Sequence, residues 1–260
     1  MAHQLNKNEM RRIFFIASLL FPLISLQAQQ IFIEKGKIEF ERTTNILKRI
    51  EDQLDGEDNV FYDAMKKQLP ETKSTYFNLY FDKDKTLYEP GREVEVSKKV
   101  PEWLAGPAED NTVYSDLANK TFTSLKNVFE TTYNIQDSLR KAEWKITSDT
   151  RMIAGFECRK ATTILMDSVF VFAFYTDQIV TRGGPESFAG LPGMILGLAI
   201  PRMHTTWFAT KLVTSDPKMS AIVPPKKGKK TNVSELKTTL YNSLKQWGKY
   251  GQRHTWSIMI

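Results

Sequence analysis

The chain has 260 residues, 41% of them hydrophobic and 25% charged, a globular composition with material for one large domain or two small ones. Its formal charge of +6 is too mild to point to nucleic acid, and its single cysteine, Cys158, excludes any intramolecular disulfide.

Arg11-Arg12 precede an apolar run from Ile13 to Leu26, and Ala28 follows as a small residue suited to signal peptidase. The run is too short for a spanning helix, so residues 1–28 read as a secretory signal and residues 29–260 as one domain with no transmembrane span after cleavage. A start at Met10 gives a signal of the same kind, so Met1 and Met10 both stay open as the first residue. No cysteine lies near the cleavage point, which argues against a lipid anchor. Loss of Lys7, Arg11, Arg12 and Glu9 lowers the charge from +6 to +4. The destination is the periplasm, the outer membrane or the exterior.

In the mature chain, Gly36 to Arg42 alternates apolar and polar with the two-residue period of a half-buried strand. Asn45 to Leu54 and Asn59 to Leu69 have helical spacing and are separated by Asp55 to Asp58, predicting two short helices or one kinked at Gly56. Ser74 to Glu89 predicts an aromatic-rich hairpin turning at Asp82 to Lys85. Residues 92–111 predict a surface loop tacked down by Trp103. Close-spaced strands follow at Thr112 to Asp116, Thr121 to Phe129, Thr131 to Ile135 and Lys141 to Thr147. Such spacing forbids crossover helices and predicts an antiparallel meander.

Ala154 to Leu165 continues as a strand, with Phe156 and Cys158 on one face. Val169 to Tyr175 is apolar on both faces, so both must be covered or one must line a cavity. Next, Gly183 to Leu198 gathers five of the 13 glycines, and Pro192-Gly193 suits a type II turn. Thr205 to Val213 is the last clear strand. A basic loop with Lys226, Lys227, Lys229 and Lys230 leads to a helix over Val233 to Trp247, capped by Asn232 with Glu235 and striped by Leu236, Leu240, Leu244 and Trp247. The tail to Ile260 has no clear pattern. The fold class is therefore α+β, one domain dominated by antiparallel sheet.

Chemistry is sparse. His204 and His254 are the only histidines left after the signal, and neither sits in a metal-binding pattern, so no metal or cofactor is expected. Ser187 or Cys158 with one of these histidines is the thin basis for a hydrolase. A basic loop is ordinarily solvated surface, and an exported chain does not meet nucleic acid.

Three blocks carry a family resemblance. Gly190-Leu191-Pro192-Gly193-Met194-Ile195-Leu196, preceded by Gly184-Pro185, resembles the defining motif of the GLPGLI family of exported proteins of certain Gram-negative bacteria. Ile153 to Ala161 is similar to its I-x-G-Y-x-C-x-K-A block and Phe174 to Ile179 to its W-Y-T-x-x-I block, with Met194, Phe156 and Phe174 departing conservatively. The resemblance spans about Gly36 to Leu244. It implies an exported, sheet-rich domain, an incomplete barrel like the periplasmic lipoprotein carriers, and it carries over no catalytic residue. Gly184, Pro185, Gly190, Leu191, Pro192 and Gly193 are then a structural motif.

The leading expectation is a non-enzymatic binding or carrier protein for an apolar ligand or an envelope protein's segment, its groove formed by Phe170, Phe172, Phe174, Met194 and Leu196. The alternatives are an assembly factor for an outer-membrane complex, using the basic loop and terminal helix, and an exported hydrolase. Ligand identity, oligomeric state and any redox role of Cys158 are not legible.

Overall fold

The computed structural model describes residues 32–54, 60–94, 100–101, 107–216 and 221–260. The secretory signal, the Asp55 to Asp58 break with Gly56, and Trp103 lie outside the described residues.

Alternation at the start of the domain becomes β1 (Lys35–Asn45), followed by α1 (Ile46–Leu54) and α2 (Val60–Lys66). Ile46 and Ile50 of α1 close a small core with Leu69, which explains their helical spacing. The aromatic hairpin is β2 (Thr72–Asp82) and β3 (Lys85–Pro90), turning where expected. β4 (Thr112–Asp116), β5 (Thr121–Val128) and β6 (Thr131–Ser138) extend it as an antiparallel meander. β7 (Lys145–Ile153), β8 (Phe156–Leu165) and β9 (Val169–Thr176) form a second meander, joined by β10 (Met194–Ile200) and β11 (Thr205–Val213).

With β12 (Lys229–Thr231), these strands make one sheet of twelve in the order β12-β6-β5-β4-β3-β2-β1-β11-β10-β9-β8-β7. Its pairings are antiparallel except β12 on β6, a short parallel addition from the basic loop that alternation could not reveal. The expected meander is interrupted after β6, because β7 pairs with β8 at the opposite edge.

That interruption dictates curvature. β6 and β7 stand ten strand steps apart in the sheet order, about 48 Å if the sheet were flat. The chain from Ser138 to Lys145 makes seven residue steps and reaches at most about 25 Å. The sheet must therefore wrap round. The wrap stops short of closure, since no hydrogen-bonded pairing joins β12 or β6 to β7.

The main core lies on the inner face, where Ile38, Phe40, Phe77, Leu79 and Leu198 pack with the β9–β10 loop and with Trp256. α3 (Val233–Leu244) and α4 (Gly248–Met259) cover the β5–β6 end. Asn232 caps α3 as expected, its Oδ1 accepting from the Glu235 N–H at 2.9 Å. Leu236, Leu240 and Leu244 are buried, but the α-helix stops at Leu244, and Trp247 is 47% exposed beyond it.

In β9, Val169, Val171 and Ala173 are fully buried, and the other side is only partly covered by the described residues. Phe170 is 54% exposed; Phe172 and Phe174 are half-buried beneath Lys160 and Arg151. Cation–π contacts on long, partly solvated stems shield these rings instead of a packed layer.

The bend at Pro192 is tighter than a type II turn. The Gly193 N–H donates to the Leu191 carbonyl at 2.8 Å, a three-residue turn centred on proline, whose fixed φ suits it. Gly193 has φ +151, and a Cβ there would stand 2.0 Å from the Thr176 carbonyl oxygen. Gly155 also has positive φ, +86, but open space around it. Gly193→Ala should therefore cost at least ~3 kcal/mol and Gly155→Ala about 1 kcal/mol, as read by urea unfolding. Equal losses would show that the close approach at Gly193 is not decisive.

Candidate functional site

Polar groups have entered the inner face at its β4–β6 end. On β5 the inward positions are Phe122, Ser124, Lys126 and Val128, so a serine and a lysine point into the core while Leu125 lies on the other side. Lys126 is 5% exposed, and its ammonium donates to the Ile258 carbonyl at 3.0 Å. Arg140, just after β6, donates to the Met259 carbonyl. Both carbonyls belong to the last turn of α4, whose C-terminal end carries about half a negative charge. The two cations thus fasten the terminal helix over the sheet.

Glu186 arrives from the other side. The turn Pro185 to Phe188, closed by the Phe188 N–H on the Pro185 carbonyl at 3.2 Å, puts Glu186 at φ +56. A non-glycine residue is uncommon there, and the strain is tolerated where neighbours fix the position. Gly184 makes room, for a Cβ on it would stand 2.7 Å from the Ile195 Cβ. Glu186 is 3% exposed and accepts from Asn111 Nδ2 at 3.0 Å. The glycine-rich stretch therefore delivers a carboxylate as well as apolar bulk.

Burial lowers the pKa of Lys126, with Glu186 raising it and Arg140 and Arg42 lowering it further. Arg140 is also pulled down by burial and partly restored by Glu186. Burial alone would raise the Glu109 carboxyl, but Arg42, Lys73 and Arg49 outweigh it and hold it below its ordinary value. Arg42 bonds Glu109 at 2.6 Å; Arg49 and Lys73 lie at 3.5 and 3.4 Å. Two buried acceptors here, Asn111 Oδ1 and Ser124 Oγ, have no hydrogen-bond partner among the described residues, a condition that costs about 1–3 kcal/mol each when left unrelieved.

Beside these groups lies a cavity of about 280 Å³ walled by Val113, Phe122, Ile135, Leu236, Ile258 and Ile260, with Ser124, Lys126, Arg140, Ser187 and the half-buried Asp137 as its polar points. Exposed Ser138 and Lys141 lie at its rim. A smaller cleft of about 50 Å³ adjoins it at Ile260 and holds Arg42, Glu109, Glu186 and His254.

Phe170, Phe172, Phe174, Met194 and Leu196, expected to form a groove, lie on two sides of the sheet. The three phenylalanines lie on the partly solvated side of β9, Met194 and Leu196 are sealed in the main core, and none of the five lines the 280 Å³ cavity. Gly184, Pro185, Gly190, Leu191, Pro192 and Gly193 shape the loop that carries Glu186. Lys126, Ser124, Arg140, Asn111 and Glu186 are the polar groups of the candidate site that the sequence pattern did not single out. Their signal was the reversed alternation Phe122-Thr123-Ser124-Leu125-Lys126, together with one carboxylate inside an apolar, glycine-rich run.

The hydrolase candidates are dispersed. Cys158 is fully buried, donates to the Phe156 carbonyl, and is pushed up to about 12 by burial and Glu157, which leaves it a thiol at neutral pH. His204 Nε2 sits 2.7 Å from Asp52. Ser187 lines the cavity and His254 the neighbouring cleft. Among the described residues no group of three or more His, Cys, Asp or Glu side chains could hold a metal ion.

The fold is thus an open, wrapped antiparallel sheet with a cavity under its terminal helices. The family model described as N-glycanase peptide, N-terminal domain, matches residues 85–236, more than half of the chain, and the chain belongs to that family. Among solved structures it is similar to PNGF-II in the P21 crystal form, at TM-score 0.50 and 16% identity over 81% of this chain and 34% of that one. The C2 form of PNGF-II gives TM-score 0.49 and 14% identity over 81% and 33%. This chain thus spans about a third of the length of those structures. No curated protein matches it. No described helix is long and apolar enough to cross a membrane.

His254 sets an acid limit on this region. Burial, then Arg49, lowers its pKa from 6.5 to about 4, so the fold holds the neutral ring. A depressed histidine contributes stability above pH 6.5 that is lost as pH falls toward 4; Glu109 adds its loss only below its ordinary 4.5. Unfolding free energy should fall by roughly 2–3 kcal/mol between pH 7.5 and 4.5, and His254→Gln should flatten that slope. A slope unchanged by the substitution would assign it to other groups.

Proposed function

We propose that this chain is an exported, non-enzymatic binding protein of the cell envelope that holds an apolar ligand between β4–β6 and the helices α3 and α4. The observation that carries the reading is the 280 Å³ cavity with a mainly apolar wall, a size near the lower end of small-molecule sites. Its few polar groups converge on one wall, the arrangement that fixes a ligand's orientation. The resemblance to GLPGLI proteins and the apolar amino-terminal stretch support export. Filling the cavity should abolish binding: Leu236→Trp should weaken an apolar fluorescent probe such as N-phenylnaphthylamine at least tenfold, while Phe172→Ala, on the far side of the sheet, should leave it within about twofold. The reverse pattern would move the site to the Phe170, Phe172, Phe174 face.

The family match favours a second reading, a recognition domain that serves a glycan-cleaving chain. Calorimetry with an N-glycopeptide separates the two. Glycopeptide binding that survives Leu236→Trp supports the second reading; no glycopeptide binding removes it.

A further inference from the structure

The polar wall of the 280 Å³ cavity is unequal in charge. Lys126 spends one of its three donors on the Ile258 carbonyl, and Arg140 one of its five on the Met259 carbonyl. Ser124, two residues before Lys126 on the same face of β5, is 1% exposed, and its hydroxyl has no partner. Glu186 is the carboxylate that acts on both cations, while Glu109 is engaged by Arg42, Arg49 and Lys73. Around the cavity Lys126, Arg140 and Lys141 stand against the carboxylates of Asp137 in its wall and Glu186 behind it, three cations against two, which leaves one positive charge in excess. The α4 carbonyls offset about half of it, so the wall stays positive.

An uncompensated cation in an apolar surround is costly, by several kcal/mol even after relaxation. A mobile anion that brings its own apolar tail would relieve that cost and fill the chamber at once. From this juxtaposition we infer that the cavity takes a straight-chain carboxylate, its head between Lys126, Arg140 and Ser124 and its alkyl chain among Val113, Phe122, Ile135 and Leu236. The volume sets the length. At about 30 Å³ per water-sized group, 280 Å³ accommodates roughly eight to ten carbons. Ser124 would donate to the carboxylate, giving its hydroxyl the partner it lacks, and the spare donors of Lys126 and Arg140 would supply charge-assisted bonds. The inference rests on the proposed binding reading and names its ligand class.

The test is calorimetric titration of the full-length protein with decanoate, decanol and decylamine, repeated on Lys126→Met. Decanoate should bind at least tenfold more tightly than decanol, and decylamine should not bind. Lys126→Met should lower decanoate affinity at least tenfold and leave decanol within about threefold. Equal affinity for decanol and decanoate in the unsubstituted protein would overturn the head-group inference while the apolar cavity reading stands. Failure of both to bind would overturn the two together. Since the head-group series on the unsubstituted protein decides the matter alone, misfolding of Lys126→Met would not rescue the inference.

Discussion

The inner face depends on two cations held under the last turn of α4. Lys126 and Arg140 reach the Ile258 and Met259 carbonyls, groups that a helix end leaves without intrahelical partners. Each side answers the other's need, since the carbonyls are unpaired acceptors and the cations are donors that burial has stripped of water. The same contact seats Ile258 beside Leu236, Leu240 and Leu244, and so ties the apolar stripe of α3 to the sheet. Replacing a whole buried ion pair by apolar groups is often neutral or stabilising, whereas removing one of its partners is costly.

The wrapped sheet makes that cavity possible. A short connection from β6 to β7 forces opposite ends of a twelve-stranded order toward each other. The long β9–β10 loop then packs over the inner face, with Trp144 Nε1 donating to the Ala189 carbonyl at 3.0 Å and Phe188 tilted against the Trp144 ring. Glu186 is carried in on this loop, at a backbone conformation that favours glycine. The loop thus contributes a carboxylate, the sheet and the segment after β6 the two cations, and the terminal helix the carbonyls that accept from them.

Much of this fold was legible in the sequence, because alternation and helical spacing report burial directly. β1, the β2–β3 hairpin, β8, β11 and the Asn232-capped α3 follow from their patterns. The misplaced pieces have physical causes. β7 looked like the next strand of a meander because spacing along the chain does not encode which edge a strand joins. β12 is only three residues of a lysine-rich loop, stabilised by pairing with β6 and by Lys229 over the Tyr133 ring at 5.8 Å, and neither contact has a local signature. Val169 to Tyr175 announced apolarity on both faces without saying that Arg151 and Lys160 would shield one of them. The candidate site was hidden for a related reason. Lys126 and Ser124 follow the polar half of an ordinary alternation, and only the tertiary fold turns that half inward.

The central claim is that the charged, partly unsatisfied wall under α4 belongs to a ligand-binding chamber. Native mass spectrometry of protein purified from its own host without delipidation, followed by solvent extraction of what it carries, tests this most directly. The account predicts a near-stoichiometric small anionic amphiphile that is released on unfolding and is missing from Leu236→Trp. Protein that is ligand-free as isolated, with a chamber that takes up neither decanoate nor an apolar probe, would contradict it.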